Sequence, residues 1–344
     1  MKVLVVKMSS MGDVIHCLPA VTDLLHAVPD IRVDWVVEEG FADIVRMHPD
    51  INQVIPIAVR RWRGNWFKHR NEIAAFRRKL QATEYDVIVD AQGLVKSALV
   101  AALAKGPVIG FARDSAREAV ASVSYADTYS VSKTLHAIAR QRRLFSGRFG
   151  YKLTPGFSYG LSGAPGPASG RIFFLHGTTW ASKHWPESYW LELATLCTAN
   201  GYTVQLTHNN EAERVRAERI AAAVQNVEIV TAGSLSKLAK ILARAEGAVT
   251  VDTGLGHLAA AYNVPLVGLY GPTSPELTGV HGPRQVSLQQ TGEQPDLTCA
   301  PCLNSHCRFK PGEHSSNIYP PCFAELSPAR VFELLQGQMA KTRH

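Results

Sequence analysis

Short apolar runs, many of them β-branched, alternate along the chain with longer stretches whose apolar positions recur at helical spacing. The chain opens with such a run at residues 2–6, followed by a turn and an amphipathic stretch at 14–27. Runs of this kind are typical of strands buried on both faces of a parallel sheet. Further strands are predicted at 33–37, 53–57, 87–89 and 108–109, with helices at 66–82 and 97–104 between them. This alternation favours βαβ units.

A segment rich in Gly, Pro and Ser, residues 154–170, interrupts the pattern and predicts a linker. The alternation then starts again, with strands predicted at 171–175, 203–206, 227–230, 248–251 and 264–269 and helices at 186–199, 211–224, 235–245 and 257–262. We therefore expect an α/β protein with two doubly wound, Rossmann-like domains, residues 1–160 and 168–325. Ligands bind at the carboxyl ends of the strands in such sheets, so two facing domains would form a cleft. A last helix within 328–344 is expected to pack back on the first domain.

Composition excludes several classes of protein. The chain has 344 residues, of which 46% are hydrophobic and 19% charged, so it can fill two cores and is not disordered. Its apolar runs are too short to span a membrane, and the first is flanked by Lys2 and Lys7, unlike a signal peptide. We expect a protein of the cytoplasm.

The net charge of +7 predicts an anionic partner, either nucleic acid, a membrane surface or a charged substrate. Basic residues form three clusters in the first half. Those at 77–79 and 140–143 are interpreted as solvated helix faces. The cluster of Arg60, Arg61, Arg63, Lys68 and Arg70 is different, because Trp62 and Trp66 lie within it. Guanidinium groups among aromatic rings suit a loop that binds carboxylates or phosphates.

The loop after the first strand, residues 9–13, consists of small residues followed by Asp13. Its backbone N–H groups at a helix start predict an anion or sugar site. Asp13 is expected to project into the cleft, where it could remove a proton from a substrate hydroxyl. The alternative is that Asp13 only caps the helix.

A second loop, residues 252–257, follows a strand and enters a helix. Its Asp-Thr-Gly sequence is also found in aspartic proteases, but those need two such loops in an all-β fold. Thr253 and Gly254 at a helix start fit a phosphate site, with His257 on the first turn. A tight turn capped by Asp252 is the alternative.

A third loop, residues 176–187, brings Lys183 beside Thr178 and Thr179 before a helix. This combination predicts a clamp for a diphosphate. Glu211, after the next strand, could accept hydrogen bonds from ribose hydroxyls.

No Gly-x-Gly-x-x-Gly follows the first strand and there is no Walker loop, which disfavours dinucleotide redox chemistry and ATP hydrolysis. The sequence also lacks an Asp-x-Asp pair for a divalent ion on a nucleotide diphosphate. A transferase with such a donor would need fixed cations and helix ends instead, together with one base. Lys183 and Asp13 fit these two roles.

Six segments together resemble the lipopolysaccharide heptosyltransferases of glycosyltransferase family 9, and among them the heptosyltransferase I group. In chain order they are residues 7–16, 35–41, 60–63, 90–97, 183–186 and 252–257. The resemblance implies a GT-B fold and an inverting transfer of L-glycero-D-manno-heptose from ADP-heptose to a Kdo sugar of Kdo2-lipid A. It implies no metal or other cofactor, and a peripheral position on the cytoplasmic face of the inner membrane. We expect a monomer that does not bind nucleic acid.

Site roles follow from the resemblance by position. Asp13 matches the general base, and Lys183 is the second catalytic candidate because its charge would stabilise the ADP diphosphate. The donor-binding positions are Thr178, Thr179, Lys183, Glu211, Gly233, Asp252, Thr253, Gly254 and His257. The positions that would hold the acidic acceptor are Arg60, Arg61, Arg63 and Arg117.

Four cysteines near the end of the chain, Cys299, Cys302, Cys307 and Cys322, depart from many relatives. They could hold a structural zinc or iron ion, or they could be free thiols in a reducing compartment. Two other functions stay open. One is a heptosyltransferase II or protein heptosyltransferase with the same donor, and the other is a basic, metal-containing nucleic-acid-binding protein.

Overall fold

The computed structural model describes residues 1–161, 169–290, 297 and 299–341. It divides into two compact units, Met1–Ser162 and Gly163–His344. The division falls within the predicted linker.

The first unit is built on a six-stranded parallel sheet in the order β3-β2-β1-β4-β5-β6. Its strands are β1 Lys2–Val6, β2 Arg32–Glu38, β3 Gln53–Ile57, β4 Val87–Asp90, β5 Val108–Phe111 and β6 Asp127–Tyr129. Its helices are α1 Met11–Ala27, α2 Ala42–Arg46, α3 Val59–Trp62, α4 Arg70–Gln81, α5 Val95–Ala102 and α6 Ala137–Phe149. Apolar side chains of α4 and α5 share one buried cluster with β1, β4 and their neighbours, which places both helices on the same face of the sheet.

The second unit repeats this plan with a sheet in the order β12-β11-β10-β7-β8-β9. Its strands are β7 Arg171–Leu175, β8 Thr203–Thr207, β9 Val227–Val230, β10 Gly247–Val251, β11 Leu266–Tyr270 and β12 Gln285–Gln289, all parallel. Its helices are α7 Glu187–Ala199, α8 Glu211–Ala223, α9 Leu235–Leu242, α10 Gly254–Ala261, α11 Pro275–Thr278 and α12 Pro328–Ala340.

Both sheets have the strand order of a dinucleotide-binding fold. In this order the second and third strands are added on one side of the first strand and the fourth to sixth on its other side, so the order reverses between the first and fourth strands. The reversal lies between β1 and β4 in the first unit and between β7 and β10 in the second. Loops diverge there and leave a crevice at the carboxyl ends of the strands. The loops at these reversals hold Asp13 in the first unit and Lys183 and Asp252 in the second.

The structure confirms the α/β class and differs from the predicted elements in places. Residues 60–62 belong to the short helix α3, whereas a loop was predicted. The edge strands β6 and β12 were not predicted, because β6 has only three residues and β12 carries polar side chains at both ends. Helix α12 packs on α7 and β10, and its Leu335 is part of the core of the second unit, where packing on the first was expected. Among the described residues, no helix is both long and apolar enough to cross a membrane.

Candidate active site

Asp13 lies at the start of α1, in the loop that leaves the central strand of the first sheet. Its carboxylate accepts hydrogen bonds from the backbone N–H and the hydroxyl of Ser10, both at 3.0 Å. The two residues form a capping box, in which Ser10 is the N-cap of α1 and Asp13 is the third residue of the helix, so Asp13 takes part in capping without being the cap itself. The same carboxylate lies 4.0 Å from Lys7 Nζ and 3.5 Å from Arg117 Nη1. Asp13 thus takes part in capping the helix and also faces two cations.

These neighbours decide the charge of Asp13. Burial acts to raise its pKa, but the positive charges of Lys7 and Arg117 and the hydrogen bonds from Ser10 outweigh burial and hold the pKa below its usual value. Lys7 is buried and its ammonium also donates to the backbone oxygen of Ala91, at 3.0 Å. Asp13 is therefore ionised at neutral pH and can accept a proton.

Gln92 and Asp90 hold the Asp13 loop in place, a role that the sequence did not reveal. The Gln92 side-chain oxygen accepts from the backbone N–H groups of Met8, at 2.8 Å, and Ser9, at 3.3 Å. Asp90 in turn accepts from the Gln92 backbone, at 3.0 Å, and from Tyr125, at 2.6 Å. Asp90 ends β4 and Gln92 lies in the loop after it, so the carboxyl end of β4 fixes the loop that follows β1.

The basic cluster after β3 is only partly available to a ligand. Arg61 forms a two-point ion pair with Glu39, at 3.1 Å, and another ion pair with Glu72, at 2.8 Å. The Arg60 backbone donates to Glu38 and its guanidinium stacks over Phe41, 5.2 Å from the ring centre. Arg63 is exposed at the end of α3. The three arginines lie together after β3, but the charge of Arg61 is already compensated by Glu39 and Glu72.

In the second unit, Lys183 and Asp252 meet at the sheet reversal. Lys183 Nζ lies 2.7 Å from Asp252 Oδ2 and 4.4 Å from the ring centre of Trp180. The other carboxylate oxygen of Asp252 is 3.8 Å from His257 Nε2, and Thr273 donates to Asp252 at 2.8 Å. β7 and β10 are adjacent parallel strands, which is why residues about 70 positions apart in sequence converge here.

Asp252 is ionised in this cluster. Burial acts to raise its pKa, but the hydrogen bond from His257 and the charge of Lys183 lower it well below the usual range. The Lys183 ammonium has three donors, so pairing with Asp252 fixes its position and leaves hydrogens for another anion. Thr253 caps α10, whose first N–H groups begin at Gly254 beside this pair. The loop combines a fixed cation with a helix start, which is chemistry suited to phosphate.

The remaining predicted donor positions lie at the same edge of the second sheet at different distances from Lys183. The Thr178 hydroxyl donates to the Asp252 backbone oxygen at 3.5 Å, and Thr179 is exposed beside it. Glu211 lies one strand further, at the exposed start of α8, where it pairs with Arg214. Gly233 follows the edge strand β9 and has a φ of +68°, which only glycine adopts readily. The structure brings Lys183, Asp252 and His257 into direct contact and leaves the others around them.

The four C-terminal cysteines line one cavity of about 110 Å³ in the second unit. All four are free thiols. Within the described part of the chain, no group of three or more His, Cys, Asp or Glu side chains is arranged to hold a metal ion.

Comparison with known proteins gives the site its context. The family model of glycosyltransferase family 9 (heptosyltransferase) matches residues 73–312. The chain is 46% identical to lipopolysaccharide heptosyltransferase 1 of Pseudomonas aeruginosa, with 98% of both chains covered. Its structure resembles that of E. coli heptosyltransferase WaaC with ADP, with a TM-score of 0.85, 39% identity, and 98% and 100% of the two chains covered. For WaaC with ADP-2-deoxy-2-fluoro heptose, the TM-score is 0.78 and the identity 43%, over 85% and 94% of the chains.

Two Rossmann-like domains of this topology, together with the similarity to the WaaC structures, give the chain the GT-B fold of glycosyltransferases. The chain belongs to glycosyltransferase family 9 and is a heptosyltransferase.

Proposed function

We propose that this protein is a lipopolysaccharide heptosyltransferase I, which transfers L-glycero-D-manno-heptose from ADP-heptose to the Kdo of Kdo2-lipid A with inversion. The observation that carries the proposal is the contact of Lys183 with Asp252 at the start of α10, where the second sheet reverses. The similarity to E. coli WaaC, whose solved structures hold ADP and a fluorinated ADP-heptose, supports the choice of donor.

The second unit binds the donor in this proposal. Lys183, oriented by Asp252, and the N–H groups at the start of α10 stabilise the negative charge that develops on the diphosphate as the sugar leaves. Thr178, Thr179, Thr253 and His257 add donors around it. Glu211 and Gly233, further along the same edge, contact the nucleoside.

The first unit binds the acceptor and supplies the base. Asp13 takes the proton from the attacking Kdo hydroxyl while that oxygen forms the new bond to the anomeric carbon of heptose, and ADP leaves from the opposite face. One base is sufficient, because ADP leaves as an anion and needs no proton. Arg117, Arg60 and Arg63 pair with the carboxylates of the acceptor, and Arg61 helps to orient the loop through Glu39 and Glu72.

We further propose that transfer needs no divalent metal ion, since Lys183 and the start of α10 supply positive potential at the diphosphate. The protein would act as a monomer that associates peripherally with the cytoplasmic face of the inner membrane, where its lipid acceptor is. Unchanged turnover in the presence of a chelator would support the first statement. A requirement for added Mg²⁺ would contradict it.

The decisive test compares Asp13→Asn and Lys183→Met with the native protein. Asp13→Asn should bind ADP with unchanged affinity in calorimetry and lose at least ~100-fold in turnover on Kdo2-lipid A, since general-base catalysis contributes that much. Lys183→Met should weaken ADP binding by about tenfold or more, because a charge-assisted hydrogen bond is lost.

Two control variants remove the same charges elsewhere. Asp43→Asn breaks the exposed pair with Arg46, and Lys240→Met removes an exposed ammonium on α9. Neither should change turnover or ADP affinity. Turnover retained in Asp13→Asn would remove Asp13 from the role of base. Transfer to a heptosylated acceptor or a protein, with none to Kdo2-lipid A, would instead identify a heptosyltransferase II or a protein heptosyltransferase.

A further inference from the structure

Helix α5 exposes an apolar stripe to solvent. Val95, Leu99 and Leu103 follow one another at intervals of four residues, so they lie along one side of the helix and its end. They are 39%, 65% and 36% exposed. The opposite side of α5 is in the core of the first unit, through Val100 and Ala101. The helix is therefore apolar on two sides, and only one of them is covered.

A neighbouring segment extends this stripe. The 3-10 turn Ala119–Ser124 contacts α5, and its Val120 and Val123 are 70% and 80% exposed. The turn is held against α5 by Glu118, whose carboxylate accepts from the Val95 backbone at 2.6 Å. Large aliphatic side chains with this exposure on two adjacent elements form an apolar surface patch of the kind found at interaction sites.

Positive charge borders the apolar side chains. Helix α4 lies on the same face of the sheet as α5, and the Gln81 side chain at its end donates to the Leu103 backbone oxygen at 3.0 Å. The exposed side of α4 carries Arg77, Arg78 and Lys79. These residues were interpreted from the sequence as a solvated helix face, and the structure places that face beside the apolar stripe.

Two exposed aromatic rings precede α4. Trp66 and Phe67 are 62% and 68% exposed, and their ring centres lie 4.2 Å apart. Lys68 and Arg70 follow them and are also exposed. Aromatic rings of this kind, next to Lys and Arg, are enriched where proteins meet the headgroup region of a bilayer.

We propose that this face of the first unit, comprising Trp66, Phe67 and the exposed sides of α4, α5 and the turn Ala119–Ser124, docks on an anionic lipid bilayer. The aliphatic and aromatic side chains enter the headgroup region while the cations of α4 pair with lipid phosphates. The apolar side chains or the cations alone would give weak, reversible membrane binding, and the two on one face reinforce each other. The inference deepens the proposed function, because it names the surface through which the enzyme reaches a lipid-anchored acceptor.

Charge favours a bilayer over a second copy of this chain. A symmetric dimer through this face would bring the cations of α4 on one copy close to those on the other, and like charges oppose such contact. An anionic bilayer compensates the same charges and accepts the apolar side chains.

Vesicle sedimentation with the full chain tests the proposal. Vesicles of phosphatidylethanolamine and phosphatidylglycerol contain no Kdo, so binding is measured apart from transfer. We expect binding to them at least tenfold tighter than to phosphatidylcholine vesicles, and weaker at high salt. Leu99→Ser/Val123→Ser should lower the affinity at least tenfold, and Arg77→Gln/Arg78→Gln/Lys79→Gln should lower it and reduce its salt dependence. These polar changes at exposed positions leave the core intact.

The matched control is Ile241→Ser/Leu277→Ser, which removes two exposed apolar side chains from the second unit and should bind vesicles like the native protein. Turnover on a soluble acceptor without acyl chains should be equal for all variants. Equal vesicle affinity of Leu99→Ser/Val123→Ser and the native chain would overturn the proposal. So would a native dimer that this variant dissociates in sedimentation velocity. Vesicle binding without heptosyl transfer would refute the proposed function and leave the docking face standing.

Discussion

The guanidinium of Arg117 lies 3.5 Å from the carboxylate of Asp13, although the two residues are 104 positions apart. Together with Lys7, Arg117 keeps Asp13 ionised despite its burial. Arg117 is half exposed and was also assigned to the acceptor site. An acceptor carboxylate that draws Arg117 away would weaken this stabilisation and make Asp13 a stronger base.

Arg117→Gln is therefore expected to raise the pKa of Asp13. Heptosyl transfer needs the ionised Asp13 carboxylate. The acidic limb of the plot of kcat/KM against pH should therefore move to higher pH. The acceptor KM should also rise by about tenfold, because a charged donor is lost. Arg113→Gln, which removes a nearby exposed charge, is the control. An acidic limb at the same pH in both variants would show that Arg117 does not act on Asp13.

Gly177, in the loop between β7 and α7, has no room for a side chain. A Cβ there would lie 2.6 Å from the carboxyl carbon of Glu213, which is buried and accepts hydrogen bonds from Asn209 and Asn210. Gly177→Ala should displace Glu213 and the loop before α8, at a cost of about 1–3 kcal/mol. Thermal unfolding and ADP calorimetry should both show the loss.

Gly337→Ala is the control for that change. Gly337 lies within α12 with open space around it, so alanine should stabilise the helix slightly. A Gly177→Ala variant with the native melting temperature and ADP affinity would mean that Glu213 can move aside without consequence.

The sequence predicted the interior strands well because each is a buried apolar run whose pattern does not depend on its neighbours. It singled out Asp13, Lys183 and Asp252 as candidates for a related reason, since the loops that follow such strands gather at one edge of a parallel sheet. It could not predict that α3 would replace a loop at residues 60–62, because four residues carry too little pattern.

The supporting contacts depend on tertiary structure and left no local signal. The pairing of Gln92 with the backbone at Met8 requires β1 and β4 to be neighbours, although 84 residues separate them. The compensation of Arg61 by Glu39 and Glu72 likewise joins three separate elements. The exposure of Leu99 on α5 could not be predicted from the sequence either, because a helix with apolar residues on two sides is usually buried on both.

Stability of the second unit should decrease in mild acid because of His176. This side chain is fully buried, and burial, with the charge of Arg216, lowers its pKa to about 4. In the unfolded chain its pKa is near 6.5, so the unfolded state binds more protons between about pH 6.5 and 4. The contribution of His176 is therefore complete above this window and falls through it, by about 2 kcal/mol from pH 7 to pH 5. His184, whose pKa burial also lowers to about 4, adds a loss of the same sign. Thermal unfolding at the two pH values measures the loss.

His176→Gln removes one of these two titrating groups and should make the melting temperature less dependent on pH. His306→Gln, which changes an exposed histidine, should behave like the native protein. If all three proteins lose the same number of degrees between pH 7 and pH 5, the acid sensitivity has another source.

The six thiols should differ sharply in their reaction with iodoacetamide at pH 7.5. Burial raises the pKa of Cys322 to about 12, and it does the same for Cys17 and Cys197. Only the thiolate reacts, so we expect these three to be alkylated at least ~100-fold more slowly than Cys299 and Cys302, which are partly exposed.

Mass mapping after timed alkylation of the native protein measures these rates. Because all four C-terminal thiols line one cavity, a bound metal ion would protect Cys299 and Cys302 together with Cys307 and Cys322. Free thiols predict the graded order instead, unchanged by a chelator. Joint protection of the four, released by a chelator together with about one equivalent of zinc or iron per chain, would contradict free thiols and support the metal site considered from the sequence.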